Sequence, residues 1–334
     1  MTSTIEELQL ALQETVELIT DGLERINTRK NAGSKTEISG SPSAWTSTTS
    51  LLEQCAAISE EYDSQDKPVI RLVHHFACSG GSIFCRCLAA MPNVYLLSEA
   101  HPYSKLHTSD EQVRYLPTDI VTLAKYAGVP RHRELARKIF AESIESTSNH
   151  LSDLGGTLVI RDHSHADFCL AHEPPIGGAI VDALKNHFQL ASLLTIRDPI
   201  DSYLSLQERQ WQHFKPATFD EYCRRYLLFT ESYQDAETIR YEDFIAEPES
   251  VVARACNILD LPYDANFIDL MELFPMTGES GRFSAEQVSP RPRKPLCDEL
   301  VKEIGLSENY AIFAAKFDYE HDGTKIEWRN STPS

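Results

Sequence analysis

Short β-rich apolar runs alternate with longer helical stretches from Pro68 onward, and this alternation is the feature that most constrains the fold. Apolar runs bounded by helix-like segments are typical of buried strands in α/β proteins. The predicted strands are residues 68–77, 93–98, 156–161, 190–197 and 237–241, and the predicted helices are 82–91, 134–151, 182–186, 199–211 and 219–233. The pattern predicts a doubly wound parallel sheet of about five strands flanked by helices. Such sheets bind ligands at the carboxyl ends of their strands, where we therefore expect the site.

The N-terminal 50 residues are predicted to lie outside this sheet. Apolar residues recur at steps of three and four from Ile5 to Ile26, which indicates an amphipathic helical arm over residues 1–27. Eleven of the residues in 28–50 are Ser or Thr, so this stretch is interpreted as a linker. The α/β domain is assigned to residues 51–334. Packing of the arm onto that domain and a homodimer through the arm are both left open.

The charge balance excludes some partners. The chain has 334 residues, with 50 Asp and Glu against 31 Lys and Arg, for a net charge of −19. This argues against nucleic acid or an anionic membrane as a partner, because both require a basic surface. A small anionic ligand is not excluded, because local donors decide its binding. The chain lacks a secretory signal and has eight cysteines without a paired CxxC, so we expect a cytoplasmic protein with reduced thiols.

The predicted strand 68–77 runs into a glycine-containing turn just before a predicted helix. Two adjacent glycines allow the backbone N–H groups to point inward, and a helix N-terminus favours an anion. The residues predicted to bind a phosphate group are Ser79, Gly80, Gly81, Ser82 and Ile83. A structural turn without a ligand is the alternative. The turn has no lysine of the GxxxxGK[ST] type, which disfavours a P-loop kinase or NTPase.

The predicted strand 190–197 ends in Arg197-Asp198-Pro199, and Ser205 follows eight residues after the arginine. Here the chain resembles the sulfotransferases that use 3′-phosphoadenosine 5′-phosphosulfate (PAPS), which have a P-loop-like fold. In that family an arginine at this strand end and a serine eight residues later hold the 3′-phosphate. The resemblance implies this role for Arg197 and Ser205. In the alternative, Arg197 pairs with Asp198 or Asp201, and Ser205 faces solvent.

Two later segments are also similar to this family. Residues 238–249 resemble its "RYEDL…DPE" segment, which has a structural role. Residues 277–294 resemble a late basic loop that folds over the nucleotide, which implies that Arg282 binds the cofactor. A solvated basic loop is the alternative for this segment.

One position departs from the family pattern. Relatives usually carry Lys or Arg immediately before the Ser-Gly of the first turn, where it neutralises the oxygen that bridges phosphate and sulfate. This chain has Cys78 there. Another cation would have to serve, and the candidates are Arg86, Arg161 and His75.

The resemblance implies two candidates for the catalytic base. The segment that ends in Glu99 resembles the "HPDV…GE" segment of tyrosylprotein and many bacterial sulfotransferases, in which the glutamate is the base. The Arg161-Asp162-His163 segment resembles the "KTH" strand end of cytosolic sulfotransferases, which implies His163 as base with Arg161 assisting. Glu99 is slightly favoured. Pairing of Glu99 with His101 and a structural role for His163 are the alternatives.

The resemblance thus implies a sulfotransferase that moves a sulfuryl group from PAPS to a hydroxyl or amine of a small-molecule acceptor, without a metal ion. The sequence does not identify that acceptor. The residues that could line its site, or equally belong to the core, are Tyr103, His107, Tyr115, Trp211 and Phe214. A P-loop kinase or NTPase and a non-catalytic nucleotide-binding scaffold are the alternative functions.

Overall fold

A single five-stranded sheet organises the part of the chain that the computed structural model describes, residues 67–103, 118–170, 173–274, 288–290 and 293–319. The strands are β1 (Val69–His75), β2 (Val94–Ala100), β3 (Thr157–Asp162), β4 (Gln189–Ile196) and β5 (Glu237–Arg240). Their order is β2-β3-β1-β4-β5, and each neighbouring pair is parallel. The predicted parallel α/β sheet is confirmed.

Helices connect and cover the strands. Those before β4 are α1 (Gly81–Ala89), α2 (Ile120–Tyr126), α3 (His132–Asp153), α4 (His165–Phe168) and α5 (Ala179–Leu184). Those after β4 are α6 (Pro199–Glu208), α7 (Phe219–Ser232), α8 (Tyr241–Ala246), α9 (Pro248–Ile258), α10 (Phe267–Leu270), α11 (Asp298–Leu306) and α12 (Glu308–Phe317). Among these described helices, none combines the length and apolarity needed to cross a membrane.

Several sequence predictions fall outside the described residues. They are the helical arm 1–27, the linker 28–50, Arg282, His107 and Tyr115. Of the predicted basic loop 277–294, only residues 288–290, 293 and 294 are described.

Some element boundaries differ from the sequence prediction where local backbone geometry intervenes. The helix predicted over 182–186 is α5, which begins at Ala179 because the extended residue Gly178 precedes it. The helix predicted over 199–211 is α6, which ends at Glu208, shortly before the left-handed residue Gln210. Strand β2 continues to Ala100, so Glu99 lies within the strand instead of following it.

Helices bury both faces of the sheet, which explains why its strands read as nearly continuous apolar runs. Val73 of β1 and Val159 of β3 pack in a cluster with residues of α1 and α9. The adjacent residues Leu72 and Ile160 point to the opposite face and pack with α3 and α5. Side chains alternate between faces along each strand, so neighbouring residues at a strand end also serve opposite sides.

The strand order brings the ends of β1 and β4 together at the centre of the sheet. His75, the last residue of β1, pairs with Thr195 of β4. The chain leaves β1 toward β2 on one side, whereas β4 and β5 lie on the other side. Reversal of this kind opens a crevice at the carboxyl ends of the strands, where doubly wound sheets bind ligands.

A buried polar network ties β1, β3 and α7 together next to this crevice. The Nδ1 atom of His74 lies 3.0 Å from Oδ2 of Asp162, and the hydroxyl of Tyr233 donates to the same oxygen at 2.8 Å. The rings of His74 and Tyr233 stack with their centroids 3.8 Å apart. All three side chains are buried, so the carboxyl of Asp162 depends on these two partners.

We predict that Tyr233→Phe lowers the free energy of unfolding by about 1–3 kcal/mol, because it removes a donor from a buried carboxyl group. Urea denaturation followed by circular dichroism measures the change. The matched control is Tyr126→Phe, since Tyr126 is 58% exposed and should tolerate the loss of its hydroxyl. Equal stabilities for the two variants would contradict a stabilising role for the network.

Candidate functional site

The turn after β1 requires its two glycines. Gly80 has a φ of +89°, and a Cβ atom there would lie 2.3 Å from the ring of Tyr241. A Cβ atom on Gly81 would lie 2.3 Å from Cγ of His75. Helix α1 begins at Gly81, so the N–H groups of its first turn have no acceptor within the helix. This cradle of backbone donors suits an anion.

The two side chains that precede Gly80, those of Cys78 and Ser79, bring no charge to the cradle. The hydroxyl of Ser79 is buried and has no hydrogen-bond partner in the described part of the chain. Cys78 adopts a left-handed conformation with a φ of 63°. Burial raises the pKa of its thiol to about 11, so the thiol is neutral near pH 7. The position at which the sequence resemblance implies a cation therefore has no charge near pH 7.

Arg197 lies against this turn. Its Nη1 atom donates to the backbone oxygen of Cys78 at 3.3 Å, and its guanidinium stacks over the ring of Tyr241 at 4.8 Å. Its backbone N–H donates to the hydroxyl of Tyr226 at 2.9 Å. Gly80 and the guanidinium therefore both lie against the Tyr241 ring, so the two predicted phosphate-binding features share one tyrosine.

The alternative pairing of Arg197 with Asp198 or Asp201 is wrong. Both carboxyl groups bind Arg293, whose Nη2 atom lies 3.2 Å from Oδ2 of Asp201 and also contacts Asp198. Asp198 caps α6 by accepting the N–H of Ile200 at 2.8 Å. Arg197 is therefore left facing the turn.

The described cations of the predicted basic loop 277–294 bind protein groups. Besides Arg293, Lys294 donates to Glu208 at 2.5 Å. Both acids that Arg293 contacts, and Glu208 as well, flank or belong to α6. These contacts anchor the end of the segment to α6. Ser205 of the same helix is half-buried, and its hydroxyl donates to the Asp201 carbonyl at 2.9 Å.

A bulge near the end of β2 directs Glu99 toward β3. The pairing register of β2 shifts between Leu97 and Ala100, and Glu99 has a φ of 62°. Bulges reorient side chains and are frequent beside active sites. Here Oε1 of Glu99 lies 2.5 Å from Nη2 of Arg161, and Oε2 contacts Nδ1 of His163. The two candidate bases and the candidate assisting cation therefore form one cluster.

The predicted alternative partner of Glu99 is wrong. His101 binds Asp167 instead, with Nε2 of the imidazole 3.1 Å from Oδ1 of the carboxyl. Asp167 also accepts the N–H of Ala179 at 2.8 Å. His101 is thus held by α4 and the start of α5, apart from the Glu99 carboxyl.

His75, one of the three cation candidates named from the sequence, joins this cluster to the first turn. Its Nε2 atom accepts from Arg161, 2.8 Å from Nη2 and 3.2 Å from Nε. Arg161 also donates to Ser98 at 2.8 Å. Side-chain alternation along the strands could have indicated that these two residues meet, because His75 and Arg161 lie on the same face of the sheet as Val73. The third cation candidate, Arg86, is buried in the last turn of α1 near Glu272.

Burial sets the charges of the cluster. It lowers the pKa of His75 well below the usual value, and the nearby Arg161 lowers it further. It lowers the pKa of Arg161 to about 10, which leaves this guanidinium protonated near neutrality. It lowers the pKa of His163 to about 4, against the opposing effect of Asp167. Arg161 is therefore the cation that stands beside Glu99.

The residues proposed to line an acceptor site divide between surface and core. Phe214 is 1% exposed and packs in the aromatic core, so it does not line a site. Trp211 is half-buried, and its ring lies 6.2 Å from that of His165. Tyr103 is half-buried beneath the guanidinium of Arg133 at 4.8 Å. Tyr103 and Trp211 thus keep some exposed ring surface.

Comparisons with known proteins give matches at the level of structure. No protein-family model matches the chain, and no curated protein matches it. The chain is similar to the sulfotransferase domain of the Synechococcus PCC 7002 olefin synthase, with 13% identity and a TM-score of 0.47 over 76% of this chain and 96% of that one. It is also similar to the sulfotransferase domain from the curacin biosynthetic pathway, with 16% identity and a TM-score of 0.44 over 76% of this chain and 98% of that one. A third similar structure is a sulfotransferase from Alicyclobacillus acidocaldarius, with 17% identity and a TM-score of 0.37 over 76% of this chain and 97% of that one.

The histidines beside the cluster should make stability depend on pH. Burial lowers the pKa of His165 to about 3, and the neighbouring rings of His163 and His213 lower it further. The unfolded chain therefore binds a proton at this residue before the folded chain does. Stability is lost as the pH falls below about 6.5, which for one such histidine amounts to about 2 kcal/mol between pH 7 and pH 5.

We predict that His165→Gln reduces the loss of unfolding free energy between pH 7 and pH 5 by about 1–2 kcal/mol, because glutamine does not titrate. Urea denaturation at each pH measures it. The control is His187→Gln, at an exposed position after α5. An unchanged pH slope in the His165 variant would show that folding does not lower the pKa of this imidazole.

Proposed function

We propose that this chain is a sulfotransferase that moves a sulfuryl group from PAPS to a hydroxyl or amine of a small-molecule acceptor. The observation that most supports this is the 3.3 Å contact between Arg197 and the backbone of Cys78. It joins a glycine turn at a helix N-terminus to a strand-end arginine, in the crevice between β1 and β4. A nucleotide with phosphate groups at both its 3′ and 5′ positions requires two such neighbouring features.

The residues of the crevice fit the anionic groups of this donor. The 5′ end would be held by the turn Ser79 to Ile83, where backbone donors and the unpartnered hydroxyl of Ser79 are available. Arg197 and Ser205 would hold the 3′-phosphate, since a guanidinium and a hydroxyl can both donate to a phosphate dianion. Ser205 would turn its hydroxyl hydrogen away from the Asp201 carbonyl. A role of Arg282 over the nucleotide remains a proposal from the family resemblance.

The cluster at the ends of β2 and β3 provides the base. When bound, PAPS supplies a sulfuryl group joined to a phosphate leaving group. Glu99 accepts the proton of the acceptor hydroxyl or amine as that group attacks. Arg161 stabilises the carboxyl at 2.5 Å, and His163 contacts its other oxygen. His163 remains the alternative base.

Two other functions compete with this proposal. A P-loop kinase or NTPase is disfavoured, because the first turn lacks the lysine that binds the terminal phosphates of ATP. A scaffold that binds the nucleotide without transfer is favoured by one observation, the neutral thiol of Cys78. We also propose a cytoplasmic location, because the seven described cysteines are free thiols.

We predict that adenosine 3′,5′-bisphosphate stabilises the protein without a metal ion. A ligand at about 100 times its Kd adds about 2.7 kcal/mol to the free energy of unfolding, which raises Tm by several degrees. Differential scanning fluorimetry measures the shift in the presence of EDTA. A shift with ATP and Mg²⁺ alone would contradict the proposal and favour a kinase or NTPase.

The control for this measurement is a pair of arginine variants. Arg197→Ala should abolish most of the shift, because the 3′-phosphate loses its guanidinium. Arg137→Ala, at an exposed position in α3, removes the same charge without touching the crevice and should leave the shift unchanged. Equal shifts in both variants would refute the second phosphate site.

We predict that Glu99→Gln lowers kcat by about 10²–10⁴-fold while the affinity for the bisphosphate is unchanged, since an amide cannot accept the proton. The assay follows release of adenosine 3′,5′-bisphosphate from PAPS with a panel of alcohols, phenols and amines, and mass spectrometry of the sulfated product. Glu134→Gln on the exposed side of α3 is the matched control. Retained activity in Glu99→Gln together with loss in His163→Ala would make His163 the base.

A further inference from the structure

The neutral thiol of Cys78 leaves one requirement of the proposed reaction unmet. Negative charge develops on the phosphate oxygen as its bond to sulfur breaks, and fixed donors in a buried site stabilise such charge. Arg197 lies on the Tyr241 side of the turn, where it binds the backbone of Cys78. The side of the turn that faces β3 has a different group, the imidazole of His75.

The imidazole of His75 lies directly against the first turn. The residue is 6% exposed, and its Cγ and Cδ2 are the ring atoms that a Cβ on Gly81 would meet, at 2.3 and 2.4 Å. The Nδ1 atom is bonded to the same Cγ, on the ring edge opposite Cδ2. The ring therefore occupies the space that a side chain at Gly81 would need, beside the backbone donors of the cradle.

The contacts of the ring define its tautomer. Nε2 lies 2.8 Å from Nη2 and 3.2 Å from Nε of Arg161, and a guanidinium can only donate. Nε2 is thus the acceptor, so the proton of the neutral imidazole is on Nδ1. This Nδ1–H has no hydrogen-bond partner in the part of the chain that the structure describes. A buried donor without a partner is uncommon in folded proteins and calls for an explanation.

We infer that His75 is a catalytic residue whose Nδ1–H donates a hydrogen bond to the oxygen that bridges phosphorus and sulfur in the bound donor. This inference rests on the proposed function. The acceptor oxygen or nitrogen forms a bond to sulfur while the bond from sulfur to the bridging oxygen breaks. The electron pair of that bond stays on the phosphate oxygen, and the acceptor proton goes to Glu99. His75 keeps its proton throughout.

Arg161 couples the two ends of this arrangement. Its guanidinium holds Nε2 of His75 as an acceptor and also lies 2.5 Å from the Glu99 carboxyl. The same cation therefore orients the donor for the leaving oxygen and the base for the acceptor. If His75 had a merely structural role, its Nε2 would anchor Arg161 and its Nδ1–H would take no part in the reaction.

Two amide variants separate these roles. His75→Asn places an amide N–H near the position of Nδ1, whereas His75→Gln reaches the position of Nε2. If Nδ1 acts on the leaving oxygen, His75→Gln should lose about 10²–10³-fold in kcat, as for removal of one oxyanion donor, and His75→Asn should lose much less. The reverse order would overturn the inference in favour of anchoring. An unchanged circular dichroism spectrum shows that each variant is folded.

A second measurement uses the unaltered protein and does not depend on turnover. In protein labelled with ¹⁵N-histidine, the Nδ1–H resonance of His75 is assigned by its absence in His75→Gln. Adenosine 3′,5′-bisphosphate should move this resonance downfield, because the 5′-phosphate oxygen becomes its acceptor. An unmoved resonance in the presence of bound bisphosphate overturns the inference.

The outcomes distinguish this inference from the function beneath it. If the unaltered chain neither binds the bisphosphate nor transfers a sulfuryl group, the proposed function fails and the role of His75 fails with it. If the chain binds and transfers, but His75→Gln keeps full kcat and the Nδ1–H resonance does not move, only the inference fails.

Discussion

The guanidinium of Arg161 is the interaction on which the arrangement of the crevice depends. It is buried at the end of β3 and donates to His75 of β1 and Ser98 of β2, and it pairs with Glu99 of β2. Three strand ends are thus tied to one cation. A buried charge is costly unless its hydrogen bonds are made, so these partners and the cation stabilise one another. The bulge and the positive φ of Glu99 are tolerated because they complete this set of contacts.

Side-chain alternation separates this cluster from a second buried network. His75 and Arg161 point toward α1, whereas their sequence neighbours His74 and Asp162 point to the other face, where Tyr233 completes the network. One network faces the predicted ligand, and the other fastens the strands behind it. On each of these two strands, one of two adjacent residues therefore faces the predicted ligand, and the other stabilises the sheet from the opposite face.

Local signals predicted much of the fold and of the candidate site. The five strands were found because buried parallel strands have short apolar runs, and the glycine turn was found because only glycine fits beside Tyr241 with a φ of +89°. Ion pairs were not predictable in this way. Sequence proximity suggested Asp198 as the partner of Arg197, and His101 as the partner of Glu99. In the structure, Asp198 pairs with Arg293 and His101 pairs with Asp167, and both of these partners are distant in the sequence.

The sequence by itself determined the α/β pattern, the turn that can cradle an anion, and the cysteine at the position where the resemblance implies a cation. Only the tertiary structure decided that Glu99 and His163 belong to one cluster, and that His75 connects it to the turn. The physical reason is that periodicity and backbone conformation are local properties of a chain. Which charged groups meet depends on strand order and on a bulge, which arise only when distant segments pair.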